Sequence, residues 1–159
     1  MKKVFFALTL AVIMFASCGD GTLSLTSYNQ RAIAIFNAAS EKMATEREIV
    51  FEHELSKEET AKLLEGLETS IDDAIAKTSK LKYPEDAKAF HESILNLYQF
   101  EKETIMPLLK KTQEFEPESE EWYSTWREFD RQTRKVDGML SEMDKLQKEL
   151  AAKAGAKLR

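Results

Sequence analysis

Cysteine and histidine, which often act as nucleophiles, bases and metal ligands, are rare in this chain. Its 159 residues include one cysteine, Cys18, and two histidines, His53 and His91. A di-iron helical bundle needs Glu-x-x-His on two helices, so that both ligands share one face, but Val50 and Lys88 stand three positions before the histidines. The sequence also lacks the haem-attachment, zinc-protease and phosphate-loop motifs. We therefore expect no catalytic residue, no metal ligand and no cofactor.

The segment before Cys18 is typical of a secretory signal. Lys2 and Lys3 precede an uncharged and almost entirely apolar run over 4–15. A membrane-spanning helix needs about 20 apolar residues. The run is therefore too short to span a bilayer and has the length of a signal-peptide core.

Ala16 and Ser17 lead directly into Cys18, and this small pair before a cysteine resembles a bacterial lipobox. In a lipobox the thiol receives a diacylglyceryl group, the chain is cut before the cysteine, and the new amine is acylated. Phe15 stands where leucine is usual. We predict a signal peptide over 1–17 and lipid attachment at Cys18, the alternative being a free thiol within a signal segment.

The predicted location follows from these residues. The chain has no second cysteine, so an exported form has no disulfide. Gly19, rather than aspartate, follows Cys18, which by analogy with enterobacterial sorting permits delivery to the outer membrane. We expect a protein that is lipid-anchored in the cell envelope, on either the periplasmic or the surface face.

The composition of the remaining chain predicts an all-helical domain. Without Lys2 and Lys3, 21 of the 23 basic residues and all 28 acidic residues remain, which gives a net charge of −7. This charge argues against nucleic acid as a partner. Glycine and proline number only five and three, and lysine, glutamate, leucine and alanine dominate, as in helical proteins.

Apolar residues recur at steps of three and four along four segments, which predicts four amphipathic helices. The core-facing positions are Ile33, Phe36, Ala39, Met43 and Val50 in the first, Leu64, Leu67, Ile71, Ala74, Thr78 and Leu81 in the second, Ala87, Phe90, Ile94, Leu97, Glu101, Thr104 and Leu108 in the third, and Trp122, Trp126, Phe129, Thr133, Val136, Leu140, Met143, Gln147 and Leu150 in the fourth.

Helix-start and helix-stop signals delimit these segments. Ser56 and Glu59 form a capping-box pattern, and Pro84 and Pro117 suit first-turn positions. The predicted helices cover 24–52, 57–82, 84–115 and 118–153. Pro107 lies inside the third and predicts a kink without loss of phase. Short connectors force neighbouring helices antiparallel, so we expect an up-down-up-down four-helix bundle over 24–153, preceded by the cleavable signal and a short lipidated tether over 18–23 and followed by a basic tail over 154–159.

Two interior features invite a functional interpretation. Glu101 falls on the apolar column of the third helix, and a buried carboxylate must be paired, hydrogen-bonded or protonated. It makes either a polar contact at the edge of the stripe or a ligand site within the bundle. Trp122, Trp126, Phe129 and Phe115 form either plain core or the wall of an apolar pocket, and Tyr123 is expected to be exposed.

The predicted topology separates charge between the two ends of the bundle. One end, the acidic tip, carries many glutamates and only Arg47 and Lys57 as counter-charges; the glutamates are Glu46, Glu48, Glu52, Glu54, Glu58, Glu59, Glu114, Glu116, Glu118, Glu120 and Glu121. The other end carries Lys77, Lys80, Lys82, Lys145, Lys148, Lys153, Lys157 and Arg159. The tip either serves solubility alone or meets a basic protein partner or divalent cations.

Three stretches resemble an uncharacterised family of helical surface lipoproteins from spirochaetes and Bacteroidetes. They are Tyr28-Asn29 at the start of the first helix, LNLYQFEKE over 95–103 and QKELAAKAGAKL over 147–158. The resemblance implies an exported, lipid-anchored helical domain and brings no catalytic residues.

These observations favour a non-catalytic binding or structural module of the cell envelope, held to a membrane by its lipid. The alternative is a carrier of a small ligand or metal that uses the bundle interior around Glu101. An enzyme would need a cluster of perturbed groups in a cleft, which nothing in the sequence indicates.

Overall fold

The computed structural model describes residues 23–52 and 55–155. The predicted signal peptide over 1–17, Cys18, Glu54 and the last residues 156–159 lie outside this range, and so do the side chains of 45–52, Val50 among them. Within the described residues every regular element is a helix and no strand occurs. The prediction of an all-α protein is confirmed.

Seven elements follow one another along the chain. They are α1 (Leu25–Glu52), α2 (Lys57–Ser79), a 3₁₀ turn (Glu85–Ala87), α3 (Lys88–Phe100), a π turn (Glu101–Ile105), α4 (Met106–Thr112) and α5 (Glu120–Lys153). The 3₁₀ turn, α3, the π turn and α4 are contiguous and form one rod over 85–112, the third rod. The four predicted helices therefore exist, and each end lies within three residues of its predicted place.

Side-chain caps begin the helices where the sequence indicates. The Glu59 amide donates to Ser56 Oγ at 3.3 Å and the Ser56 amide donates to Glu59 Oε2 at 2.9 Å, which completes the predicted capping box. The Ser27 amide donates to Ser24 Oγ at 3.2 Å at the start of α1. Such caps contribute about 1 kcal/mol each.

The fourth helix begins two residues later than its predicted start. The Ser119 amide donates to the Glu116 carbonyl at 3.1 Å, which closes a turn with Pro117 and Glu118 at its centre. Glu118 has a φ of 66°, a left-handed conformation that costs a non-glycine residue about 1–3 kcal/mol. The helix therefore begins only after Ser119, whose hydroxyl accepts from the Trp122 amide at 3.2 Å.

Pro107 is accommodated by the π turn that precedes α4. A proline has no amide hydrogen, so the α-helical bond from residue 107 to the Glu103 carbonyl cannot form. The Met106 amide instead donates to the Glu101 carbonyl, five residues back. The rod continues through this wider turn.

The π turn also moves the core-facing column of the third rod. Before it, the predicted positions up to Glu101 are buried. From the end of the turn onward, Ile105 and Leu109 are completely buried. The predicted positions Thr104 and Leu108 are only half-buried. The predicted phase across Pro107 is wrong by one residue, because a π turn inserts one residue into the helical repeat.

The rods share a single apolar core. α1 packs against α2 and α5, and the third rod packs against α2 and α5. Described residues of all four predicted stripes are buried or half-buried. Each fully buried leucine, isoleucine or phenylalanine contributes about 1.5–3 kcal/mol, so this core dominates the stability of the fold.

Ion pairs between rods show which segments lie beside each other. Lys102 pairs with Asp72 at 2.7 Å, Lys110 with Glu68 at 2.6 Å and Lys153 with Asp86 at 3.0 Å. These pairs are largely exposed, and each contributes about 0–1 kcal/mol.

Replacing Gly138 in α5 and Gly155 just beyond its end by alanine should change the free energy of unfolding in opposite directions. A Cβ at Gly138, inside α5, would meet no atom within 4 Å, so Gly138→Ala should raise the free energy of unfolding by about 0.5–1 kcal/mol. Gly155 has a φ of 70° beyond the helix end, so Gly155→Ala should lower it. Urea titration of both variants measures the two changes, and equal signs would contradict the assigned backbone conformations.

Candidate functional site

The described chain begins close to the predicted lipid-attachment residue. Leu23 and Leu25 pack against the core, and the Tyr28 amide donates to the Ser24 carbonyl at 2.8 Å. Cys18 itself lies outside the described residues. An extended chain from Cys18 to Leu23 reaches at most about 17 Å. This length limits the distance between the thiol and Leu23.

A buried aromatic cluster joins three segments at this same end. The Tyr28 hydroxyl lies 3.1 Å from Nδ1 of His91, and the Tyr83 ring stacks on the His91 ring with centroids 4.1 Å apart. Tyr28 is completely buried and His91 is 4% exposed. The cluster ties the first turns of α1 to α3 and to the connector over 80–84.

Burial sets the protonation of this cluster. It lowers the pKa of His91, against an opposing effect of Glu92. Burial also raises the pKa of Tyr28, and Tyr83 adds to that rise. Neutral His91 and protonated Tyr28 share one hydrogen bond, whose donor depends on the histidine tautomer. The pair is suited to holding segments together at neutral pH.

The sequence did not predict this cluster. The sequence distinguishes Tyr28 only through the resemblance to a lipoprotein family. It distinguishes His91 only as a histidine that lacks the Glu-x-x-His pattern. The available signal was the position of His91 beside Phe90 on the core side of the third stripe.

Glu101 is buried, as the sequence predicts, with 3% of its surface exposed. It opens the π turn and makes at least one further polar or electrostatic contact. The neighbouring Tyr98 hydroxyl donates to the Phe36 carbonyl at 3.4 Å. Burial raises the pKa of Tyr98, Glu101 adds to the rise and a hydrogen bond with Ser40 opposes it. The Tyr98 hydroxyl is thus part of the contact between the third rod and α1, whereas the π turn that Glu101 opens packs against α2 and α5.

A small cavity lies elsewhere in the core. It has a volume of about 30 Å³ and is lined by Ile33, Phe36, Phe90, Leu140, Met143, Asp144 and Gln147. This volume exceeds the roughly 10–15 Å³ that a cavity needs to hold one water molecule. Glu101 is not among its lining residues.

The described residues contain no group of three histidine, cysteine, aspartate or glutamate side chains placed to hold a metal ion. Among them, too, no helix has the length and apolar content needed to cross a bilayer.

The connector over 113–119 and the first turn of α5 carry five of the described glutamates of the acidic tip. Glu114, Glu116, Glu118, Glu120 and Glu121 are all exposed there. Within the described residues none of them makes an ion pair. Glu58 and Glu59 differ, because Glu58 pairs with Lys62 at 2.9 Å and Glu59 closes the capping box.

The predicted aromatic residues of α5 form a stack rather than a pocket. The Trp122 and Trp126 rings lie 5.5 Å apart and are parallel within 2°, and Phe129 follows at 5.4 Å from Trp126. Phe129 is buried, Trp122 and Trp126 are half-buried, and Tyr123 is 46% exposed as predicted.

Charge at the opposite end is more balanced than the sequence suggested. Four of the predicted lysines pair with carboxylates, mostly three or four residues away on the same helix; these pairs are Lys77–Asp73, Lys145–Glu142, Lys148–Asp144 and Lys153–Asp86. Lys157 and Arg159 lie outside the described residues. The basic end therefore offers less unpaired charge than its lysine count indicates.

Comparison with family models, curated proteins and solved structures found no match to this chain.

Acidification should destabilise the fold through His91. Because burial lowers its pKa in the folded state, the unfolded chain binds more protons below about pH 6.5. The free energy of unfolding should therefore fall from pH 7 towards pH 5, by at most about 1.4 kcal/mol per pH unit for one proton. Chemical denaturation at each pH measures the slope. His91→Gln should flatten it and His53→Gln should retain it; a slope that follows His53 would refute the assignment.

Glu101→Gln should lower the free energy of unfolding at pH 7 by about 1–3 kcal/mol, because it disturbs buried polar contacts. Glu103→Gln is the matched control, since Glu103 lies on the same π turn but is exposed, and it should change stability by less than about 0.5 kcal/mol. Equal effects of the two changes would show that burial of Glu101 has no energetic consequence.

Proposed function

We propose that this protein is a lipid-anchored, non-catalytic binding or structural module of the bacterial cell envelope. The signal peptide over 1–17 is removed, and the thiol of Cys18 carries the lipid, at the outer membrane. The observation that carries this proposal is the short distance along the chain from Cys18 to the packed residue Leu23. A folded domain so close to a signal-like segment fits a short tether.

We further propose the antiparallel up-down-up-down arrangement of the four rods. Three contacts support it. Tyr28 near the start of α1 meets His91 near the start of α3, Lys110 of α4 meets Glu68 of α2, and Lys153 at the end of α5 meets Asp86 before α3. These pairs are those expected when each rod runs opposite to its neighbours.

This arrangement gives the domain an orientation. The end that holds Leu23, the Tyr28–His91 pair and Lys153 stands next to the membrane, and the connector over 113–119 faces away. Lipid chains supply most of the anchoring, since each buried CH₂ contributes about 0.8 kcal/mol. An unpaired lysine near an anionic surface adds about 1 kcal/mol, but the observed ion pairs reduce this contribution.

The outward acidic tip is the proposed contact surface for a partner. Its five exposed glutamates over 114–121, which make no ion pair within the described residues, favour a basic protein, or divalent cations. In the proposed orientation the lysines face the membrane and the glutamates of the acidic tip face away from it. A partner bound at the tip would therefore not meet the bilayer.

A second candidate function is a carrier of a small ligand or metal around Glu101. The burial of this carboxyl group in a π turn favours it, because π turns are frequent at functional sites. The separation of Glu101 from the cavity of about 30 Å³ weighs against it. Native mass spectrometry of the purified protein separates the two candidates, since only a carrier retains bound mass.

Replacing the anchor residue tests the main proposal. Cys18→Ser should move the protein from the membrane fraction to the soluble fraction of its native host and abolish metabolic labelling with a fatty acid. Mass analysis of the wild-type N-terminus should show a lipid-modified residue 18, whereas an intact leader or an unmodified start elsewhere would refute the proposal. Ser17→Ala keeps a small residue before Cys18 and serves as the matched control.

A further inference from the structure

The first turn of α5 carries an exposed aromatic surface on a rigid support. Trp122 is the outermost ring of the stack that continues through Trp126 to Phe129 in the core. Tyr123 contacts Trp122 edge-on, with centroids 5.2 Å apart and planes at 82°. Tyr123 is also the exposed large apolar side chain of the described residues, at 46%. Two rings are therefore held at the surface by a stack that reaches into the core.

The charged residues on the N-terminal side of these rings are acidic. Glu116, Glu118, Glu120 and Glu121 precede Trp122 in the sequence, and the nearest basic residues are Lys111 and the exposed Arg127, four positions after Tyr123. All four are exposed and make no ion pair within the described residues. Farther along α5 four carboxylates behave differently; Glu128, Asp130, Glu142 and Asp144 each pair with an arginine or lysine.

We propose that Trp122 and Tyr123, with the flanking glutamates, form a docking surface for a lysine- and arginine-rich segment of a partner protein. The face of an aromatic ring is electronegative and attracts ammonium and guanidinium groups. The carboxylates accept charge-assisted hydrogen bonds from neighbouring cations of the same segment. The same charges repel nucleic acid and anionic lipid, so a cationic peptide is the occupant that both features fit.

This inference deepens the proposed function, from which it takes only the outward orientation of the tip. The chemistry of the surface does not depend on the lipid. A protein with an unmodified N-terminus that still binds the peptide would refute the anchor and leave the docking surface in place.

The test uses the full-length protein in a non-ionic detergent and a fluorescent ten-residue peptide of alternating lysine, arginine and serine. Fluorescence anisotropy at low salt gives the dissociation constant. An exposed cation–π contact is worth about 0.5–1 kcal/mol, so Tyr123→Leu should weaken binding about two- to five-fold. Tyr123→Phe keeps the ring and should retain wild-type affinity.

Charge variants complete the test. Combined replacement of Glu116, Glu118 and Glu120 by glutamine should weaken binding by about ten-fold, as expected for the loss of three exposed charge contacts. Asp137→Asn is the matched control, because Asp137 is exposed on the same helix but lies away from the tip, and it should leave the affinity unchanged. Thermal melting of each variant verifies that it is folded.

Four results would overturn the proposal. The wild-type protein could fail to bind the peptide. Tyr123→Leu could bind as well as Tyr123→Phe, or Asp137→Asn could weaken binding as much as the tip variant, and either result would reduce the interaction to unspecific attraction. Finally, calcium alone could bind with the same dependence on the three glutamates and displace the peptide, which would identify a cation site.

Discussion

Burial of one apolar stripe on each of four rods is the constraint on which the rest of this structure depends. Most helical stability in proteins comes from packing of the apolar face against neighbouring elements. α1, α2, the third rod and α5 each lie against at least two others, so no rod can leave without exposing the core of the rest. Caps and ion pairs add small terms and decide where helices end and which segments adjoin.

The third rod shows how one residue changes this packing. Pro107 removes a backbone donor, and the π turn over Glu101–Ile105 accommodates the loss. Its extra residue turns Ile105 and Leu109 into the core in place of Thr104 and Leu108. Glu101, at the start of the same turn, remains buried. A local backbone requirement therefore sets which side chains the core receives over the following two turns.

These features mark the limit of prediction from the sequence. The four helices, the Ser56 capping box, the burial of Glu101 and the exposure of Tyr123 follow from periodicity and local chemistry, and the sequence contains both. The π turn, the left-handed Glu118 and the Tyr28–His91–Tyr83 cluster do not follow. The first two arise where backbone geometry competes with helix periodicity. The cluster depends on contacts of Tyr28 with Tyr83 and His91, each more than 50 positions away, which no local pattern encodes.

If the chain is anchored at Cys18 as we propose, the Tyr28–His91 contact also has a mechanical consequence. Any load on a tether before Leu23 enters the fold at the first turn of α1, where a free helix end would fray. There the Tyr28 ring is enclosed by Phe90, His91 and Tyr83, so the load passes to the third rod and the preceding connector within six residues. Tension is thereby shared between two rods and acts on packed rings before it can unwind α1.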